Sequence, residues 1–357
     1  MPGVTRESGS FATALGLLTA SLCCGAIGCA PSPTPAATAA GEAARSAISY
    51  RYTHLDVFTD QRLAGNQLAV FLDPAGLTAD EMMAITREMA FSETTFVFPP
   101  EVEGTDARVR IFANNLGREI EVAGHPTIGT VFALAEAGRI EPGRPDVVLG
   151  LGIGPTRIEL DWDGDDLRFA WMEQRQPTFG GRIDDIQAVA AALGVEVSAI
   201  DATGLPVQQV SCGAPFLMVP LASRAAVDRA RLDRAAMGAL IDRYGLVRRG
   251  VMVFSTESAG DGATAYSRMF GFGVVEDPAT GNSSGPLGSY MVHHGLVSPG
   301  DARHMRSRQG VAMGRPSWVH ISVEAEGERI SRVRVGGGAV TVGSGSVRLR
   351  PGATPAA

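Results

Sequence analysis

Lysine is absent from this chain: all 31 basic residues are arginines. Without an ε-amino group there is no Schiff base to a carbonyl substrate, and no lysine-anchored pyridoxal phosphate. Cysteine is scarce. Of the four, Cys23, Cys24 and Cys29 fall within the first thirty residues, which leaves Cys212 for the rest of the chain. One thiol cannot close an internal disulfide or serve a mechanism that needs a cysteine pair. Cys212 is therefore expected to be a small buried residue at a strand end. A basic excess is lacking too, since the net charge is −7 and the isoelectric point near 5.5. Phosphate backbones demand a positive face, so this balance argues against a nucleic-acid partner. The histidines (His54, His125, His293, His294, His304 and His320) show no metal-ligand spacing. No metal is expected, and His293-His294 reads as a helix C-terminal pair.

What is present is a chain of 357 residues, 45% hydrophobic and 19% charged, long enough for two domains with cores of their own. Its second half repeats its first. R-I-F-A from Arg110 aligns with R-M-F-G from Arg268, so Phe112 pairs with Phe270 at an offset of 158 (270 − 112). Gly124 pairs with Gly281 and Gly138 with Gly295, both at 157. Lobes related by a pseudo-two-fold place equivalent turns face to face. A glycine-led turn that opens a helix presents unpaired N–H groups and a positive dipole end. Two such ends meeting at one cleft make an anion site, most simply for a carboxylate.

Ahead of the repeat, Arg6 precedes an uncharged, mostly small and apolar stretch, Phe11 to Cys29. A-I-G-C ending at Cys29 resembles the lipobox of bacterial lipoproteins. Residues 1–29 are thus expected to be an export segment, with Cys29 lipid-modified and holding the protein at the outer face of a bacterial membrane or in the periplasm. An ordinary cleaved signal, and a start codon misassigned upstream of a cytoplasmic protein, remain as alternatives. Residues 30–47, rich in Pro, Ala and Thr, read as a disordered tether.

The pattern from Ile48 onward predicts strands at Tyr52–Phe58 and Gln67–Leu72, a helix from Thr78 with Asp80 and Glu81 in its first turn, strands at Thr95–Phe98 and Arg108–Phe112, and a helix from Gly124 through Ala137. A hairpin about Asp163-Gly164 follows. The second half predicts the same plan: strands from Val207 and Phe216, a helix from Asp233, a strand at Val251–Phe254, a helix from Gly281, and a closing hairpin about Trp318 and Arg332. Two motif matches fail on context. G-N-S-S-G from Gly281 lacks the apolar strand that a hydrolase elbow needs, and Pro278 precedes it. G-L-G-I-G from Gly150 leads into a strand where a dinucleotide loop needs a helix.

One acid stands out. Glu93, in S-E-T-T-F-V, sits where a helix hands over to an apolar strand. Counting back from Phe98 and Phe254 pairs it with Arg249, so only one lobe carries an acid there. Asp277 lies four residues before Gly281, where the first half has Ile120. The cleft would hold two carboxyl groups without two-fold symmetry. Desolvation there moves an acid towards working pH as a proton carrier.

At these residues the chain resembles the PhzF-like family of phenazine-biosynthesis proteins, which share the diaminopimelate epimerase fold. The matching stretches are D-V-F-T-D from Asp56, G-N-Q-L-A-V from Gly65, S-E-T-T-F-V from Ser92, A-G-H-P-T-I-G-T from Ala123, E-D-P-A-T-G from Glu276 and M-G-R-P-S from Met313. The resemblance implies an α+β fold of two pseudo-symmetric lobes, 48–173 and 174–350, each a curved, mostly antiparallel sheet around a helix. It also implies that the strand near Val340–Val347 crosses back to the first lobe. Glu93 becomes the catalytic acid/base, with His125 and Asp277 beside it and Gly124 and Gly281 holding substrate. Asn282 stands where the family pattern has serine, a bulkier side chain that offers both donor and acceptor.

The expectation is a cofactor-independent isomerase of a small carboxylate-bearing metabolite. An epimerase or racemase of an amino-acid derivative, or a non-catalytic ligand-binding lipoprotein, are the alternatives, and a homodimer is left open.

Overall fold

The computed structural model describes residues 47–273, 276–327 and 329–349. The export segment with Cys29, and all of the tether but Ala47, lie outside the described residues.

The first lobe is built from β1 (Ile48–Val57), β2 (Asn66–Phe71), α1 (Ala79–Met89), β3 (Glu93–Phe98), β4 (Ala107–Ala113), β5 (Arg118–Ile120), α2 (Gly124–Glu136), β6 (Asp146–Leu151), β7 (Gly154–Asp163) and β8 (Asp166–Gln174). The second has β9 (Thr178–Ile183), α3 (Ile186–Leu193), α4 (Val197–Asp201), β10 (Val207–Ser211), β11 (Pro215–Pro220), α5 (Arg224–Arg229) and α6 (Arg234–Arg243). It continues through β12 (Gly250–Ser255), β13 (Ala265–Gly271), α7 (Gly281–His293), β14 (Met305–Gln309), β15 (Ser317–Glu326) and β16 (Arg329–Gly337). The last strand is β17 (Ala339–Leu349).

Strand pairing repeats with the sequence. In the first lobe β2–β3 and β4–β6 are parallel, and β1–β2, β3–β4, β6–β7 and β7–β8 are antiparallel. In the second, β11–β12 and β13–β14 are parallel, and β10–β11, β12–β13, β14–β15 and β15–β16 are antiparallel. β8 pairs with β16 and joins the two lobes. Each lobe also receives one extra strand beside its first. β9 pairs with β10, and β17 pairs with β1 from Ile48↔Leu349 to Val57↔Ala339. The chain's last strand therefore completes the first lobe, although sequence order places it with the second.

Each sheet wraps a central helix. α2 packs on β1, β2, β8 and β17, and α7 on β10, β11, β15 and β16. Both are buried on all faces, which is why they read as runs of small and apolar residues without a polar stripe. The threonines of α2 are satisfied internally: Thr127 donates to the Ala123 carbonyl and Thr130 to that of Pro126. α1 lies outside. Thr78 and Glu81 form a reciprocal capping box, and the helix ends at Ala90 in the left-handed region.

A buried ion pair ties the lobes. Arg315, in the loop before β15, donates to the Asp56 carboxylate at the end of β1 and to the carbonyls of Ala64 and Gly65. Asp56 is 1% exposed and also accepts from the Leu63 amide at 2.6 Å. The D-V-F and M-G-R-P stretches of the sequence thus meet as one latch.

Candidate active site

α2 and α7 meet end-on at their first residues. A Cβ built on Gly124 would lie 3.1 Å from the Gly281 Cα, and one on Gly281 would lie 3.2 Å from the Gly124 Cα. Two backbones approach this closely only where neither residue has a side chain. Neither helix has a side-chain cap. Ala123 offers none, and the hydroxyl of Thr280 is turned to the Asp277 carboxylate instead. Two open helix N-termini, facing one another, concentrate positive potential and N–H donors at one place.

Around this point the structure gathers Glu93, His125 and Asp277, which are far apart in sequence. Glu93 is the first residue of β3, fixed between β2 (Leu68↔Glu93) and β4 (Glu93↔Ala113). Its Oε2 lies 3.6 Å from His125 Nε2. Burial is the first cause that raises its pKa, from 4.5 to about 8; the Asp277 charge adds to this and Arg249 opposes it. His125, second in α2, is 5% exposed, and burial holds it neutral by lowering its pKa to about 3. Asp277 bridges to Met269 and is pushed up by burial to about 6, against the donors Thr280 and Asn66. Two carboxyl groups coupled in this way titrate as a pair, and between about 6 and about 8 they hold one proton.

The second layer around these groups was not evident from sequence. Asn66, at the start of β2, donates to Asp277 Oδ1 at 2.8 Å and to the Ala279 carbonyl at 2.9 Å, and its amide nitrogen lies 3.3 Å from His125 Nδ1. An amide carries two hydrogens, and the two nearer oxygens take them. Gln309 accepts from the Thr280 amide and donates to the Asp277 carbonyl at 2.7 Å, so the aspartate is clamped on its backbone as well. Glu93 has no hydrogen-bond donor among the described residues. One acid is held and the other is left for a ligand.

A cavity of about 430 Å³ opens alongside, lined among others by Asn282, Gln174, Arg249, Arg118 and Arg175. Gln174 is oriented by donating to the Gly281 carbonyl at 2.9 Å. Arg249 is the repeat counterpart of Glu93; the sequence showed only that no acid stood there, whereas the structure places its charge against Glu93. Cys212 also reaches this wall, but it is buried and desolvation pushes its thiol up to about 11, which leaves it inert. Among the described residues no group of three or more His, Cys, Asp or Glu side chains is placed to hold a metal ion.

The family model for phenazine biosynthesis-like proteins matches residues 55–345. An uncharacterized isomerase of Mesorhizobium japonicum is 35% identical over 300 residues, 83% of this chain and 98% of that one. Trans-2,3-dihydro-3-hydroxyanthranilate isomerase of Pseudomonas chlororaphis is 33% identical over 302 residues, 84% of this chain and 100% of that one. Among solved structures, a Bacillus anthracis protein of the PhzF family superposes with a TM-score of 0.74 at 26% identity, over 84% of this chain and 99% of that one. A predicted epimerase of Pseudomonas aeruginosa gives 0.68 at 30% identity, over 84% and 99%. A probable proline racemase of Agrobacterium radiobacter shares the fold at 16% identity, with a TM-score of 0.60 over 85% and 94%. With the two-lobed α+β architecture of the diaminopimelate epimerase fold and a family match over most of its length, the chain belongs to the phenazine biosynthesis-like protein family and is an isomerase.

Proposed function

We propose that the protein moves a proton on a small carboxylate-bearing metabolite by general acid/base catalysis, without a cofactor, in the cleft between the lobes. The observation that carries this reading is the unequal treatment of two buried acids. Asp277 is held by Asn66 and Thr280, whereas Glu93 has no donor among the described residues and a pKa raised to about 8. The substrate carboxylate lodges at the N-termini of α2 and α7, and Asn282 offers it an amide. Glu93 takes a proton from the carbon next to an activating group and returns it elsewhere on the same face. Neutral His125, with Nε2 3.6 Å from the Glu93 carboxyl, orients substrate without adding charge. Acid/base transfer supplies about 10²–10⁴-fold, so positioning and the anion site supply the rest.

The test is solvent exchange. In heavy water, trans-2,3-dihydro-3-hydroxyanthranilate, suggested by the Pseudomonas relative's name, is the first candidate. The wild type should incorporate deuterium into its substrate and Glu93→Gln should not; equal incorporation by both removes Glu93 from the mechanism. A second reading, a two-base epimerase with Glu93 and Asp277 on opposite faces, is favoured by the nearness of the two charges. Inverted product after one turnover in heavy water would select it. For the N-terminus we keep the lipoprotein reading: mass spectrometry from the native host should find a diacylated Cys29, and a soluble form that keeps residues 1–28 refutes it.

A further inference from the structure

Many arginines among the described residues are tied to carboxylates, as Arg268 is to Glu276 and Arg224 to Asp261. The cavity lined by Asn282 of α7 is different. Arg118 at β5, Arg175 just after β8 and Arg249 just before β12 all line it, and all three are exposed. Arg175 and Arg249 have no carboxylate in ion-pair distance among the described residues; Arg249 rests over the Phe216 ring at 5.7 Å. Among the described residues Arg118 reaches only the Glu119 carbonyl, at 3.3 Å. Of the two acids in the same wall, Glu173 is already taken by Arg332 at 2.8 Å, which leaves Glu121; from outside the wall Glu93 faces Arg249. The three come from both lobes, and Arg118 and Arg249 repel one another. Like charges held together at the rim of a small-molecule cavity call for an anion between them.

We propose that this wall is a second anion subsite, and that the metabolite carries two acidic groups: one at the paired helix N-termini, the other, a carboxylate or a phosphate, against Arg249, Arg118 and Arg175. The inference rests on the isomerase reading above and moves its substrate class from the single-carboxylate candidate named there to a metabolite with two acids. A guanidinium fork meets either group bidentately, which an ammonium would not. A cavity of about 430 Å³ suits a ring-sized molecule bearing both acids. Arg249 occupies the repeat position of Glu93, so one lobe contributes the proton carrier and the other, at the matching place, the charge that holds the far end of the substrate.

The experiment compares benzoate, isophthalate and 3-phosphonobenzoate by calorimetric titration of the full chain. Isophthalate or 3-phosphonobenzoate should bind at least about ten-fold more tightly than benzoate, the scale of one charge-assisted bidentate contact. Whichever of the two does so identifies the group. Arg249→Gln should erase that advantage and leave benzoate unchanged, while Arg249→Lys should keep part of it. Circular dichroism establishes that both variants are folded, and the Arg118→Gln/Arg175→Gln double variant repeats the measurement without touching Arg249. Equal binding of all three probes by the wild type overturns the subsite, as does an advantage that survives both the Arg249→Gln and the double substitutions. Glu93→Gln should keep the two-acid advantage while losing deuterium exchange, so the subsite and the acid/base reading fail separately.

Discussion

Replacing Glu93 by Gln should make the protein more stable in alkaline solution while removing its chemistry. Glu93 has a folded-state pKa of about 8 against an ordinary value of 4.5. A carboxyl whose pKa is raised on folding binds its proton more tightly in the native state. Its contribution to stability is therefore complete below the unfolded value and is lost as pH rises through the folded one. The interval from 4.5 to about 8 corresponds to a loss on the order of 5 kcal/mol between pH 4 and pH 9. The cause is mainly desolvation, with the Asp277 charge second and Arg249 opposing, so glutamine, neutral at every pH, is spared the whole loss. Urea unfolding of wild type and Glu93→Gln at pH 5, 7 and 9 reads this directly. The two should differ little at pH 5, and the variant should be the more stable by several kcal/mol at pH 9. Parallel pH dependences would show that Glu93 ionises freely in the folded protein, and would take with them its role as a proton carrier poised near neutral pH.

Three further outcomes are expected. The pH profile of kcat/KM should rise through about 8, where Glu93 ionises to the base that takes the substrate proton; Asp277→Asn should move that limb down, because the Asp277 charge raises Glu93. Gly124→Ala should cost about 1–3 kcal/mol and most of the activity by pushing the helix N-termini apart, since the new methyl would meet Gly281 at 3.1 Å; unchanged stability in urea would refute the tight apposition. Arg315→Ala should cost about 3–5 kcal/mol by leaving Asp56 buried without its cation, with Arg315→Lys recovering part of it; a change below 1 kcal/mol in urea unfolding would show that the latch does not hold the lobes.

Much of this fold is written locally. Alternation along Tyr52–Val57 and Gln67–Phe71, the helix start at Thr78, the Gly164 turn and the helix leads at Gly124 and Gly281 each follow from neighbours a few residues apart, and all are visible in the chain. The near-constant 157-residue offset carried one long-range fact, that the two glycine turns face each other, because duplication turns a sequence relation into a symmetry relation. Elements such as β5, with three residues, and α3, whose I-Q-A-V-A-A-A-L has no polar face, escaped because they are too short or too uniform to show a period. The site divides in the same way. Glu93 and Asp277 are legible as acids in odd places, one before an apolar strand and one before a glycine turn. That Asn66 would clamp Asp277 across 211 residues, that Arg315 would reach Asp56 across 259, and that Arg249 would be a charge facing Glu93 were decided only in three dimensions. Caps, turns and alternation are settled by a residue's own backbone and immediate neighbours. The partner of a buried polar group is whichever group the closed fold brings within 3 Å, and no local pattern encodes that.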